Sequence, residues 1–313
     1  LLSMAGTVLT QSTNFKTLTL RDPASIGHAL MFWGLGFFAV GYVVFLGFGT
    51  GLSLFSVLSG STFERVYYSI LDIAALFILI SMIWVIVKRY IVKPERLRRQ
   101  ETTAEKVTQG ALITVIILLM VFHYFIEGSG YAVSGIPDAW PPIGTAIATA
   151  LANSGLSATG LETLYHTLWW INYLLLLAAI IYAPRSKHLH PLFSFANIAF
   201  RDLGPKGALK QIDIEKKEQW GASNIQDLSW KQLLDGYACT WCGRCHIACP
   251  AQASGKSLSP REFILGMKSQ LLKAGPGLLK SMKDIPDDAG ENNGAGIDAA
   301  AGSRDASLLG SVI

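Results

Sequence analysis

With 313 residues, 51% of them hydrophobic and only 15% charged, the chain is too apolar for an ordinary soluble domain. Its net charge of +4 calls for no nucleic-acid partner, because the excess base lies mostly in short stretches that flank apolar runs. No nucleophile, general base or phosphate-binding loop stands out, so composition and motifs together point away from a hydrolase or a nucleotide enzyme.

The chain opens on the uncharged LLSMAGTVL without an initiator methionine, so a secretory signal peptide fits poorly and the beginning reads as trimmed. Four long, nearly charge-free segments follow at roughly 26–48, 66–87, 109–127 and 162–183. Each approaches the ~20 residues that a helix needs to cross a bilayer core, which predicts four transmembrane helices. The connection KRYIVKPERLRRQETTAEK between the second and third is rich in base, whereas residues 128–163 hold no Lys or Arg. Lys16, Arg21, Arg185 and Lys187 mark the two ends of the membrane part as basic again. By the retention of basic residues on the inner side, both termini and the basic connection are predicted to be cytoplasmic and the 128–163 loop outside. Within that loop IGTAIATALA predicts a short helix lying on the surface.

After residue 184 the composition becomes that of a soluble segment. A connector leads to a helix expected to start near Ser229, then to the cysteine run. SPREFILGMKSQLLKAG follows, with Ser259 as N-cap, Pro260 in the first turn and Gly275 as a stop. The small, polar, glycine-rich remainder reads as a linker. The expected organisation is therefore an N-terminal cytoplasmic segment (1–25), a transmembrane domain (26–190), a connector (191–228), a cluster segment (229–283) and a flexible linker (284–313).

All four cysteines lie in CTWCGRCHIACP. Cys239, Cys242, Cys245 and Cys249, with Pro250 next, follow the C-x2-C-x2-C-x3-C-P spacing of bacterial [4Fe–4S] binding. Cysteines three apart on a tight loop present three thiolates to three corners of one cubane. The fourth starts the next helix and points away, toward a second cluster. The remaining ligands of that second cluster are then expected downstream of Ile313 or in another subunit, and one cluster held by all four thiols is the less comfortable alternative. Structural zinc usually takes two separated ligand pairs, and disulfides suit neither a cytoplasmic face nor cysteines this crowded. His246, inside the run, is expected to hydrogen-bond near the cluster rather than to ligate it.

Five of the six histidines fall in or beside the membrane segments, where ionisable residues are costly and usually functional. His28 begins the first segment, and His188 and His190 follow the fourth at the same predicted side. His123 and His166 both lie about four residues, or ~6 Å, inside the opposite boundary. Two histidines from different helices at one depth are what bis-histidine haem b requires, while interfacial hydrogen bonding is the plainer account of any single one. Asp72 and Glu127, near that same boundary, fit either capping and solvation or a path for protons to a quinone. The pair Trp169 and Trp170 reads as packing or an interfacial belt.

SIGHALMFWGLGFF, HTLWWINYLLLLAAIIYAPRSKHLHPL and CTWCGRCHIACPAQASGKSLSPREFI together resemble the membrane-anchored iron–sulfur oxidoreductases related to heterodisulfide reductase. In these a membrane domain like the nitrate reductase gamma subunit precedes a two-cluster ferredoxin domain. The resemblance covers nearly the whole chain from about residue 22. It implies an all-α membrane protein whose four transmembrane helices lead into a cytoplasmic, helical, ferredoxin-like [4Fe–4S] segment. It further implies an inner haem b held by His28 and His190, with His188 as an adjacent competitor. The family's other haem expects histidines where this chain has Phe38 and Asn172, so a second haem depends on His123 and His166 holding it in a shifted place. Also implied are menaquinone in a bacterial or archaeal cytoplasmic membrane, a second cysteine motif, and a soluble donor such as an electron-transfer flavoprotein or another catalytic subunit. The competing expectations are a non-haem anchor or assembly subunit of a larger respiratory or photosynthetic complex, and the membrane subunit of a substrate dehydrogenase or disulfide reductase.

Overall fold

The computed structural model describes residues 2–16, 24–41, 62–97, 102–135, 140–186, 189–205 and 222–283. Among these residues the chain is helical throughout, with no strand. It divides into two compact units, one of Leu9–Ala183 and one of Leu1–Val8 with Pro184–Ile313.

The first unit holds the apolar helices. Apart from α1 (Leu2–Leu9), nearly all of which belongs to the other unit, the order is the single turn α2 (Ser12–Phe15), α3 (Ala24–Gly41), α4 (Thr62–Ile86), α5 (Thr103–Ser134), the short α6 (Pro142–Ala152) and α7 (Ala158–Tyr182). Four of the helices are long and apolar enough to cross a bilayer, with α4 running on through a π-helical stretch to Val92. This is a membrane protein with the four spans expected. Residues 42–48 of the first predicted span lie outside the described residues.

Helix ends explain why the spans outrun the apolar runs. Thr102 and Glu105 form a reciprocal capping box that starts α5 well before the apolar run at 109. The resulting 32 residues extend about 48 Å, more than a hydrocarbon core of ~30 Å. Lys93, in the left-handed region with φ 46°, and the following Pro94 end the π-helical extension of α4. Lys88 lays its ammonium over the Trp84 ring at 5.1 Å, a pairing suited to a helix end.

The core of this unit lies between α3, α4 and α5, on Phe38, Leu71, Ala75, Ile78, Met120 and Tyr124. Gly34 lets α3 and α4 approach closely, since a β-carbon there would sit 2.7 Å from Ile78 Cγ1. With no hydrophobic drive between helices in lipid, side-chain hydrogen bonds to neighbouring helices add to packing. Tyr67 donates to the Phe37 carbonyl at 2.7 Å, and Thr108 and Tyr182 share a bond of 2.9 Å between α5 and α7. Few positions of α7 are fully buried by protein, so much of its apolar surface is left to lipid.

The second unit is built from α8 (His190–Ala199), α9 (Trp230–Ala238), the single turns α10 (Arg244–Ile247) and α11 (Pro250–Ala253), and α12 (Pro260–Lys283). Arg201 reaches back to α1, donating to Thr7 Oγ1 at 3.2 Å and Ser3 Oγ at 2.5 Å. α9 starts where expected, on a capping box between Ser229 and Gln232. It packs on α8 through the stacked rings of Phe193 and Tyr237, 5.0 Å apart, and through Asn197, Lys231 and Asp235. Ser259 caps α12 by accepting from the Glu262 N–H. Gly275 does not stop this helix, which continues through Pro276 to Lys283. Its apolar face explains the difference, because Ala274 and Leu278 carry on the cluster that Met267 and Leu271 form with Ile225.

Candidate functional site

Two places concentrate chemistry, one in each unit. In the second unit α9 ends at Cys239, whose backbone is already extended. Trp241 (φ 61°) and Gly243 (φ 72°) both take the left-handed conformation, which folds the chain back on itself between Cys239 and Cys245. Cys245 lies in α10 and Cys249 is the N-cap residue of α11, so the fourth cysteine starts a new helix as its spacing predicted.

Burial pushes the Cys239 thiol up, against the Trp241 backbone N–H that donates to it. The charges of Cys242 and Cys245 oppose its ionisation further, and the Lys268 ammonium favours it. Lys268, itself held low by burial, also lies over the Tyr237 ring at 5.0 Å. Three thiols and a cation thus act on one another within a single loop and the helix behind it. No disulfide joins any of the four cysteines. Among the described residues no group of three or more His, Cys, Asp or Glu is arranged to hold a metal ion as it stands. The donor set nonetheless fits an iron–sulfur cluster: clustered soft thiols, a left-handed loop and a backbone N–H directed at sulfur. His246 Nδ1 lies 2.8 Å from Ser259 Oγ at the cap of α12, within hydrogen-bond distance.

In the first unit a cavity of about 620 Å³ opens between α3, α4, α5 and α7, near the ends of α5 and α7 that the α6 connection joins. His123 and His166, matched in depth by the sequence, both line it. So do Phe38 and Asn172. Phe38 meets the His123 ring edge-on with centroids 4.9 Å apart, and is almost wholly buried. His123 Nε2 lies 3.7 Å from Glu127 Oε2, too far for a hydrogen bond, and neither buried atom has a hydrogen-bond partner. The other Glu127 oxygen accepts from the Tyr131 hydroxyl at 3.1 Å.

Asp72, fully buried, does something different. Its two carboxylate oxygens accept from the backbone N–H groups of Ile143 (2.7 Å) and Gly144 (3.2 Å), at the start of α6. The capping account therefore holds for Asp72. The short helix expected in this loop is present as α6, and it rests on the bundle through the buried Gly144 and Ala148 while its other positions are half-buried or exposed. A β-carbon at position 144 would come 2.8 Å from the Glu127 carboxyl and would push that side chain aside.

The remaining predicted site residues fall elsewhere. His28 stands in α3 with its Nδ1 3.3 Å from the Asn14 amide nitrogen, which also donates to the Ser25 carbonyl. His190 is the first residue of α8 in the other unit, and His188 lies outside the described residues. Trp169 and Trp170 make an edge-to-face pair at 5.0 Å, as packing predicts, yet Trp169 also stacks on Tyr173 and lines the cavity. Tyr131, Tyr165 and Glu162 are cavity residues that sequence reasoning missed. Tyr131 had a visible signal: His123, Glu127 and Tyr131 recur every four residues and so share one face of α5.

The architecture so far defines a class: four membrane-length helices, a largely apolar cavity among them that holds a few polar groups, and a separate helical unit presenting a loop of thiols. The chain is similar to curated iron–sulfur and quinone oxidoreductases. It is 33% identical, over 95% of its own length and 43% of the relative's, to the "Probable iron-sulfur-binding oxidoreductase FadF" of Bacillus subtilis. It is 30% identical to the "EtfAB:quinone oxidoreductase" of Syntrophomonas wolfei, over 83% of the chain and 37% of that protein. A 65-residue stretch, 20% of the chain and 10% of the relative, is 37% identical to a "Probable membrane-anchored ferredoxin" of Chromohalobacter salexigens. The chain spans about two fifths of the length of the two curated relatives that it matches most fully. No protein-family model matches the chain, and no solved structure matches it significantly.

Proposed function

We propose that this chain is the membrane part of an oxidoreductase that passes electrons between cytoplasmic iron–sulfur clusters and the quinone pool, with menaquinone as the carrier and an electron-transfer flavoprotein as a fitting donor. The loop of Cys239, Cys242, Cys245 and Cys249 in a chain with four membrane-length helices carries this reading. Cys239, Cys242 and Cys245 hold one [4Fe–4S] cluster, and Cys249, at the head of α11, reaches a second whose other ligands lie outside this set. His28 and His190, with His188 beside it, are the proposed ligands of a haem b on the cytoplasmic side. In the structure the Asn14 amide nitrogen faces His28 Nδ1 and donates to the Ser25 carbonyl as well. Ligation through Nε2 needs the proton on Nδ1, with the Asn14 amide turned to offer its oxygen.

When bound, these groups supply one-electron chemistry, and the protein supplies position, burial and charge. The Trp241 N–H and Lys268 both favour negative charge at the Cys239 sulfur. The names of the relatives support the iron–sulfur, membrane and quinone parts of this reading.

A dithionite-reduced minus oxidised visible spectrum of the purified full chain, with iron, labile sulfide and haem quantified, tests it. Iron and sulfide together with a b-type signal that His28→Ala abolishes are expected. Iron and sulfide without haem would leave the membrane unit as an anchor, and absence of iron would overturn the proposal.

A further inference from the structure

We propose that the cavity among α3, α4, α5 and α7 takes the headgroup of a quinone, not a second haem, and that Glu127 and His123 exchange its protons. This rests on the quinone-linked function proposed above and gives it a place and proton-carrying groups.

Bis-histidine haem ligation needs two nitrogens aimed at one metal. Here Nε2 of His123 faces a carboxylate oxygen at 3.7 Å, and the Phe38 ring packs edge-to-face with the imidazole at 4.9 Å. Of the two histidines on the wall, His123 is half-buried and His166 exposed, so their surroundings are unlike. A flat dicarbonyl ring asks for different things: aromatic faces to lie against, a donor for each oxygen and a nearby proton carrier. The stacked Trp169 and Tyr173 offer the faces. The volume of about 620 Å³ lies within the ~300–1,000 Å³ of small-molecule sites. His123 offers a nitrogen without a hydrogen-bond partner, and Glu127, with a side chain only 6% exposed, offers an oxygen in the same condition. A buried polar atom left without a partner is costly, and a ligand that supplies one repays that cost.

In the reducing direction each quinone carbonyl oxygen gains a proton to become a hydroxyl as the ring takes up two electrons. The electrons come one at a time from a reduced iron–sulfur donor of the kind proposed above. Two electrons and two protons make the hydroquinone. Glu127 and His123 deliver the protons and are recharged from water at the α6 end of the bundle. Oxidation of hydroquinone runs the same transfers backwards.

The test uses the full chain with its cofactors in lipid nanodiscs, and two probes: a naphthoquinone with one isoprene unit, and its photoreactive azido derivative. Crosslinks are expected within residues 120–134 or 162–173. Val133→Trp, which fills the cavity wall, is expected to weaken binding about tenfold or more. Glu127→Gln is expected to slow reduction of the bound quinone about a hundredfold. Crosslinks elsewhere, with binding and reduction indifferent to both variants, would overturn this site and leave the quinone-linked function standing. A wild-type chain that binds no quinone would overturn both. A second haem that His123→Ala removes would assign the cavity to haem and overturn the inference alone.

Discussion

The two units handle polar chemistry in opposite ways. In the second, four thiols sit within eleven residues of one another, and one loop with two left-handed residues brings the first three together. In the first, the cavity draws on four helices, from Phe38 on α3 to Tyr173 on α7. A loop in contact with water can gather like-charged groups next to one another, because solvent and a single lysine offset their repulsion until a metal arrives. A helix bundle in lipid has no such solvent, so each polar group must find a partner on another element or wait for a ligand. Asp72 takes the first course, bonding to α6. Glu127 and His123 take the second.

Substituting the thiols probes the local half of this contrast and carries the largest expected effect. Cys242→Ser should remove about four irons per chain with their labile sulfide, as one whole cluster is lost. Cys249→Ser should spare that cluster. Equal losses in the two variants would mean that all four thiols hold one cluster. Asp72→Ala probes the dispersed half. Loss of both acceptors at the head of α6 should cost about 2–3 kcal/mol, read as lowered thermal stability in detergent, with Asp72→Asn recovering part of it. An unchanged melting curve would show that α6 is held by packing alone. Lys268→Gln has the smallest expected effect. Removal of a cation that acts on Cys239 should lower the potential of the cluster by on the order of tens of millivolts, equivalent to ~1 kcal/mol, in a redox titration followed by electron paramagnetic resonance. A rise in potential would exclude the electrostatic role given to Lys268.

The same contrast governs what could be read from sequence. Helices α4, α5 and α7 were legible because length and apolar composition decide membrane spans, and the starts of α9 and α12 because their capping residues are local. Gly275 misled because a glycine stops a helix only where the apolar face also ends, and here Ala274 and Leu278 keep packing. Histidine depth was enough to put His123 and His166 in one place. It was not enough to show Phe38 against the ring or Glu127 beside Nε2, since those contacts depend on how the helices rotate about their axes. The role of Asp72 was hidden for a stronger reason, because its partners are backbone groups and carry no mark in sequence.

The bonds from Asp72 reach partners 71 and 72 positions further along the chain. A nascent polypeptide therefore exposes this carboxylate in α4 long before Ile143 and Gly144 exist to receive it. During synthesis the charge must be solvated or held by something else, and it can be laid to rest only after α5 and the turn beyond it have crossed the bilayer. The short helix α6 thus acts as a completion mark for biogenesis: once it is docked, the buried carboxyl group of α4 has its hydrogen-bond partners and the helices are set in order.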